Sequence, residues 1–327
     1  MNIQKIAAFA SPTENGYQGG NPAGVVLIKE FPSDDEMIAI AAEVGYSETV
    51  FAVPIATQTN AYRVRYFSPE GEVPFCGHAT IALGAALGDK YWSQNSTTEV
   101  TFQLTLNHAQ VGLRLDKKES DTVVTLISPP TSHQVIAKSQ DELFGMVKDV
   151  TTENTAPSVF PKLLINILED FNISIDDLDW HTLAPAIVDG GSKHLALTLK
   201  NQATLDNMNY DFDAVKQRML EHDLVTIILA LPRQDKNNQV FIDIRNAFAS
   251  GGVIEDPATG AAAAAYAGYI RDSQSSLSMG ITTNKKSEYQ LTFNQGRHIN
   301  MPSVINASFS GDIGSPIALT GYTRALS

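Results

Sequence analysis

The sequence predicts an α+β fold made of two β-rich halves, each wrapped about one central helix. Three observations carry this. Strand-like runs dominate the chain and do not alternate with helices regularly enough for a doubly wound parallel sheet. Two helical segments, Ala79 to Leu87 and Ala261 to Arg271, are built of small and apolar residues on every side, which asks for enclosure rather than for one buried face. The chain also echoes itself. "RYFSPEGEVPFCGHATIALGAALGD" and "RNAFASGGVIEDPATGAAAAAYAGYIRD" both run arginine, phenylalanine, a glycine turn, an acidic and proline-bearing bend, a glycine and a tight helix. Phe67 to Gly77 and Phe248 to Gly260 are the matching spans. The halves are expected at residues 1–127, completed by the last strand at 315–327, and at residues 128–314.

Each element has a local reason. Ile3 to Phe9 alternates as a strand, and the polar, glycine-rich "SPTENGYQGGNPAG" reads as a loop before the buried strand "VVLI". Ser33 to Gly45 reads as a helix. Ser33 and Glu36 form a capping box, Met37, Ile38, Ala41 and Val44 share a face, and Gly45 suits a left-handed C-terminal cap. Strands follow at "ETVFAV" and "YRVRYF", and after the first enclosed helix at "TEVTFQL", "QVGLRL" and "DTVVTLI", with "SPPTSHQ" as the crossing between halves. Residues from about 140 to 180 read as helical and polar, with "PKLLINIL" as their apolar stripe. "PAIVDG" and "HLALTL" are strands, "DAVKQRMLEHD" a helix, and "LVTIILAL" and "QVFIDIRNAF" strands. The chain beyond the second enclosed helix reads as strands ending in "SPIALTGYTRAL".

Bulk properties narrow the function. The 327 residues are 43% hydrophobic, enough for a sizeable core. With 23 Lys plus Arg against 36 Asp plus Glu the net charge is −13, which argues against nucleic-acid and anionic-membrane partners. No apolar run of transmembrane length and no signal-peptide core is present, so a cytoplasmic protein is expected. One cysteine, Cys76, excludes an intramolecular disulfide. No metal site is expected, because no two of the seven histidines lie three to five apart and one thiol cannot build a thiolate site. Phosphate-loop, dinucleotide and Gly-x-Ser-x-Gly motifs are absent.

The candidate chemistry gathers at the helix starts. A helix start offers unpaired N–H groups and the positive end of the dipole, and binds carboxylate or phosphate where the backbone is bare. Gly77 and Gly260 bare it at two such points, although both also read as tight turns before core helices. His78 reads as a proton carrier, or as a cap or satisfied core histidine. Asp256 reads as a carboxylate beside a helix start, or as a turn former. Glu48, opening an apolar strand, reads as an acid/base carboxylate, or as an exposed strand end.

Together "AFASPTENGYQGGNPAGVVL", "GYSETVF", "RYFSPEGEVPFCGHATIALGAAL" and "RNAFASGGVIEDPATGAAA", in this order and over nearly the whole chain, resemble the phenazine-biosynthesis isomerase-like (PhzF-like) family. The resemblance implies the diaminopimelate epimerase-like fold, with two pseudo-symmetric β-barrel-like halves each around a central helix and the active site in the cleft between them. It implies an isomerase that moves a proton without cofactor or metal. Glu48 would be the acid/base, His78 and Asp256 would assist, and Asn21, Gly77, Gly260 and Ala261 would contact a small anionic metabolite. A homodimer is implied as well. The chain departs from the family at Ala261, where a serine is common. Diaminopimelate epimerases use two cysteines, whereas here position 259 is Thr, so two-thiol racemisation is not available. Cys76 is then expected as a packing residue. A non-catalytic binding protein of this fold, or a racemase pairing Glu48 with another group, are the alternatives.

Overall fold

A computed structural model describes residues 2–118, 121–148, 159–237, 239–274, 280–281 and 288–327. The first half contains β1 (Ile3–Thr13), β2 (Gly16–Gln18), β3 (Asn21–Leu27), α1 (Asp34–Val44), β4 (Thr49–Pro54), β5 (Ala61–Ser68), β6 (Gly71–Val73), α2 (Gly77–Trp92), β7 (Glu99–Thr105), β8 (Gln110–Lys118) and β9 (Asp121–Pro130). The second contains β10 (Ser132–Val135), α3 (Gln140–Lys148), α4 (Val159–Asp170), β11 (Ala186–Asp189), β12 (Lys193–Thr198), α5 (Gln202–Asp206), α6 (Phe212–Glu221), β13 (Leu224–Gln234), β14 (Val240–Phe248), β15 (Val253–Asp256), α7 (Gly260–Asp272), β16 (Tyr289–Gln295) and β17 (Ser303–Phe309). The final strand is β18 (Pro316–Ala325).

Pairing closes the first half into a barrel. The order β1-β3-β4-β5-β7-β8-β9-β18 returns to β1, with β3/β4 and β5/β7 parallel and the other pairs antiparallel. The second half repeats the plan as β10-β11-β12-β13-β14-β16-β17-β18, with β12/β13 and β14/β16 parallel. A parallel neighbour needs a crossover. In each half the first crossover carries helix outside the barrel, α1 in one and α5 and α6 in the other, and the second carries the apolar helix through its middle. α2 is buried from His78 to Gly88 and α7 from Ala262 to Arg271, as an all-apolar surface requires. The strands close in so tightly that a Cβ at Gly84 would lie 2.5 Å from Val124 Cγ1, and one at Gly268 2.3 Å from Thr131 Oγ1.

α1 forms as its sequence predicts. Ser33 and Glu36 make both bonds of the capping box, and Gly45 takes φ 76°. Its buried Met37 and Ala41 pack on Val26, Phe51 and Phe67.

Several expectations are corrected. "SPTENGYQGGNPAG" is a hairpin, not a loop: β1 runs on to Thr13 and pairs with β2. Tertiary anchors hold it, since Tyr17 stacks on Tyr322 at 5.1 Å and its hydroxyl donates to Asp121 Oδ2 at 2.6 Å. The crossing between halves is itself strand, broken only at Thr131, whose N–H donates to Gly314 O. Both central helices begin earlier than read, at the glycines themselves. The internal echo is offset by one residue, because Phe67 faces Glu72 while Ala247, not Phe248, faces Glu255, and the ladder shifts between Ala247 and Phe248. The expected helical stretch of 140–180 is α3, α4 and a short turn at Ile175–Asp177, and its middle, 149–158, lies outside the described residues. So do 275–279 and 282–287 of the expected C-terminal strands. Among the described residues no helix is long and apolar enough to cross a membrane.

Candidate active site

Each half aims one hairpin at the start of its central helix, and an arginine locks each hairpin. In β5/β6, Arg65 forks onto Glu72 at 2.8 and 2.6 Å. In β14/β15, buried Arg245 donates to Glu255 Oε2 at 2.9 and 2.6 Å. Three residues past each hairpin strand the chain turns into the helix, through Cys76-Gly77-His78 in one half and Thr259-Gly260-Ala261 in the other. Neither Cys76 nor Thr259 caps its helix with its side chain, unlike Ser33 of α1.

The two helix starts meet at one cavity of about 500 Å³, lined by Gly77, Gly260 and Ala261 together with residues such as Phe75, Leu126 and Gly190. A Cβ on Gly77 would find nothing nearer than Leu126 at 3.9 Å, so the backbone there is open. A Cβ on Gly260 would press on Leu319 at 3.3 Å and Phe9 at 3.4 Å, so that glycine is also a packing requirement. Glu48, His78, Asp256 and Asn21 do not line this cavity. His78 directly follows lining Gly77, and Asp256 is bonded to Thr259, which directly precedes lining Gly260.

Glu48 stands just before β4, its carbonyl tied to Gly24 N–H at 3.1 Å. Its side chain is 15% exposed and its Oε2 lies 3.3 Å from His78 Nε2. That oxygen is buried and has no hydrogen-bond partner. On the other edge of the imidazole, His78 Nδ1 lies 3.3 Å from Cys76 Sγ. Burial first, and then the Glu48 carboxylate, push the Cys76 thiol well above its ordinary pKa. Cys76 does pack in the core, as expected, but it is also the third member of this cluster.

Asp256 is held differently. Asn21 Nδ2 donates to its Oδ1 at 2.8 Å and to Ala258 O at 3.0 Å. Thr259 Oγ1 donates to its Oδ2. Gln295 binds the whole turn: Nε2 donates to Asp256 O at 2.6 Å and to Thr259 Oγ1 at 3.1 Å, and Oε1 accepts from Thr259 N at 3.1 Å. Burial pushes the Asp256 carboxyl up to about 6, against the pull of His78 and of the Thr259 bond.

The expected residues thus fall into two adjoining clusters, Glu48 with His78 and Asn21 with Asp256. Sequence reasoning missed Gln295, and it noted Thr259 only as the place of an absent second thiol. Thr259 was legible as the counterpart of Cys76, "PATG" against "PFCG". Gln295 left no local sign, because it acts from the end of β16, 36 residues beyond Thr259. The spacing argument against metal ligands also missed that Glu48, Cys76 and His78 bring ligand atoms within 4.8 Å of one another.

Comparison with known proteins places the fold. The chain is 31% identical over 202 residues, 59% of its length and 68% of the relative's, to a phenazine biosynthesis-like domain-containing protein of Bos taurus. It is 49% identical over 63 residues, 19% of its length and 20% of the relative's, to the uncharacterized isomerase YddE of Salmonella typhimurium. It superposes on the Bacillus anthracis phenazine biosynthesis protein of the PhzF family with a TM-score of 0.73 at 20% identity, covering 100% of this chain and 98% of the other. The architecture is the diaminopimelate epimerase-like α+β fold. Residues 6–321 match the family described as phenazine biosynthesis-like protein, and to that family the chain belongs.

Proposed function

We propose that this protein is an isomerase that moves a proton within a small carboxylate-bearing metabolite, with Glu48 as the acid and base. The observation that carries the reading is the Glu48 oxygen 3.3 Å from His78 Nε2, buried without a hydrogen-bond partner, beside two uncapped helix starts that share one cavity. The kinship with a protein named an isomerase supports it. The backbone N–H groups of His78 and Ala261, following the two glycines, hold the substrate carboxylate. Phe75, Leu106, Leu126, Ile127, Pro129 and Leu319 line the same cavity and suit an apolar body behind that carboxylate. Glu48 takes a proton from carbon, the electron pair of that C–H bond moves along the adjoining unsaturation, and the protonated Glu48 returns the proton to a second carbon on the same face. His78 holds the Glu48 carboxylate in place, and Asp256 orients the turn that presents Ala261. The chemistry needs no group beyond these side chains.

Glu48→Gln keeps the shape and removes the base. Proton exchange is read by NMR in deuterated water over a panel of cyclic and amino-acid-like carboxylates. Deuterium entry in the wild type that is lost in Glu48→Gln is the expected result. Exchange that survives the substitution at full rate sinks the mechanism.

A further inference from the structure

We infer that the cavity at the two helix starts selects a dicarboxylate with an apolar body, and that His108 and Gln110 read its second carboxylate. The inference rests on the proposed hold of the helix starts on the first carboxylate, and it names the class of molecule they take.

The wall is graded in depth. Gly260 is buried and Gly77 and Ala261 are half-buried, whereas His108 and Gln110 are exposed. Between them lie buried Leu106, Leu126 and Leu319, with Phe75 and Ile127 exposed by 39% and 47%. A ligand whose carboxylate rests on the helix starts therefore runs past an apolar wall toward the β7/β8 turn.

The polar inventory decides what that far end is. The wall carries no Asp, Glu, Lys or Arg, and its polar side chains are His108, Gln110 and Ser128. Ser128 is committed: its Oγ donates to Pro129 O at 2.7 Å and accepts from Ile317 N at 2.9 Å. Neither His108 nor Gln110 has a side-chain hydrogen-bond partner among the described residues. Both can donate N–H, so both suit an acceptor, and a carboxylate offers the strongest one. A substrate ammonium finds no carboxylate on this wall. The turn itself is held. Arg63 donates to Thr105 O at 2.9 Å and to Asn107 Oδ1, and Asn107 Nδ2 donates to Glu72 Oε1 at 2.8 Å. Glu72 is the partner of Arg65, so the His108 turn is tied to the hairpin that leads into α2.

The test measures dissociation constants by calorimetry on the full chain with three probes built on one ring: benzoate, terephthalate and para-aminomethylbenzoate. Terephthalate is expected to bind about tenfold more tightly than benzoate, and the ammonium probe no more tightly than benzoate. The double variant His108→Ala with Gln110→Ala, checked for folding by circular dichroism, brings terephthalate to the level of benzoate and leaves benzoate within about twofold. His108→Gln, which keeps a donor, retains part of the preference. Equal affinity of the wild type for terephthalate and benzoate overturns the inference, as do absence of saturable terephthalate binding and equal weakening of both ligands in the double variant. Glu48-dependent deuterium entry into a dicarboxylate whose KM the double variant leaves unchanged also overturns it, and leaves the proposed function standing. A terephthalate preference that depends on His108, with no proton exchange on any carboxylate, supports the inference and defeats the proposed function.

Discussion

At the start of α2, Cys76, Gly77 and His78 hold the places that Thr259, Gly260 and Ala261 hold at the start of α7. The strand registers extend the match. Thr49 faces Phe67 as Ile227 faces Ala247, so Glu48 corresponds to Thr226, and Val73 corresponds to Asp256. One backbone plan therefore carries two chemistries. The first half has carboxylate, thiol and imidazole, with the buried Glu48 Oε2 left without a hydrogen-bond partner. The second has hydroxyls, an alanine and a carboxyl bonded on both oxygens. At the Glu48 position it places Thr226, whose hydroxyl meets buried His194 at 2.8 Å, and burial drives that imidazole down to about 3. Duplicated architecture thus presents a carboxylate oxygen without a hydrogen-bond partner beside one helix start and a carboxyl bonded on both oxygens beside the other.

The widest contrast lies between Glu48 and Thr226. Glu48→Gln lowers proton exchange by about 10²–10⁴-fold with little change in unfolding free energy. Thr226→Val does the reverse, because it strips His194 of a buried partner, at about 1–3 kcal/mol, and leaves exchange within a few-fold. Exchange assays beside urea unfolding of both variants check this, and equal losses of exchange would erase the distinction between the halves.

Asp256 gives the next effect, on pH. Its carboxyl is raised from 3.8 to about 6 by burial, with the His78 charge and the Thr259 bond opposing and Glu48 adding. Folding therefore strengthens its hold on the proton. That contribution is fully present below pH 3.8 and is lost as pH rises through 6, a difference of about 3 kcal/mol. Relative to Asp256→Asn, the wild type should lose stability between pH 4 and 7. Parallel curves for the two proteins across that window would contradict the assignment.

Gln295→Leu tests whether the second helix start is a holder of geometry. Removing both ends of the clamp strands Asp256 O and Thr259 N, at about 1–3 kcal/mol. The substrate KM should rise while the fold persists, and Gln295→Glu, which still accepts from Thr259 N, should recover part of it.

The smallest effects separate the glycines. Gly260→Ala overpacks against Leu319 and Phe9 and costs about 1–2 kcal/mol. Gly77→Ala meets nothing closer than 3.9 Å, so unfolding should change by less than about 0.5 kcal/mol while KM rises as the methyl covers the open backbone. Thermal unfolding of the pair with KM beside it decides, and a reversed order would mean that the first helix start is not the open one.

Some of this was written locally in the chain. The capping box of α1, its left-handed Gly45, the enclosure of α2 and α7 and the doubling of the helix starts follow from torsional preference and from residues a few positions apart. The motif residues Glu48, His78, Asp256 and Asn21 were legible as candidates. Their grouping was not. Asn21 meets Asp256 across 235 residues because β1 and β18 pair and carry the two barrels side by side. Gln295 reaches Thr259 because β16 lies beside β14. The hairpin at Ser11–Gln18, read as a loop, depends on Tyr322 and Asp121 in distant strands. Cys76 changes from packing residue to member of a cluster only when β4 brings Glu48 alongside. Local sequence sets backbone angles and the side a residue presents, whereas which strands pair decides what that side meets.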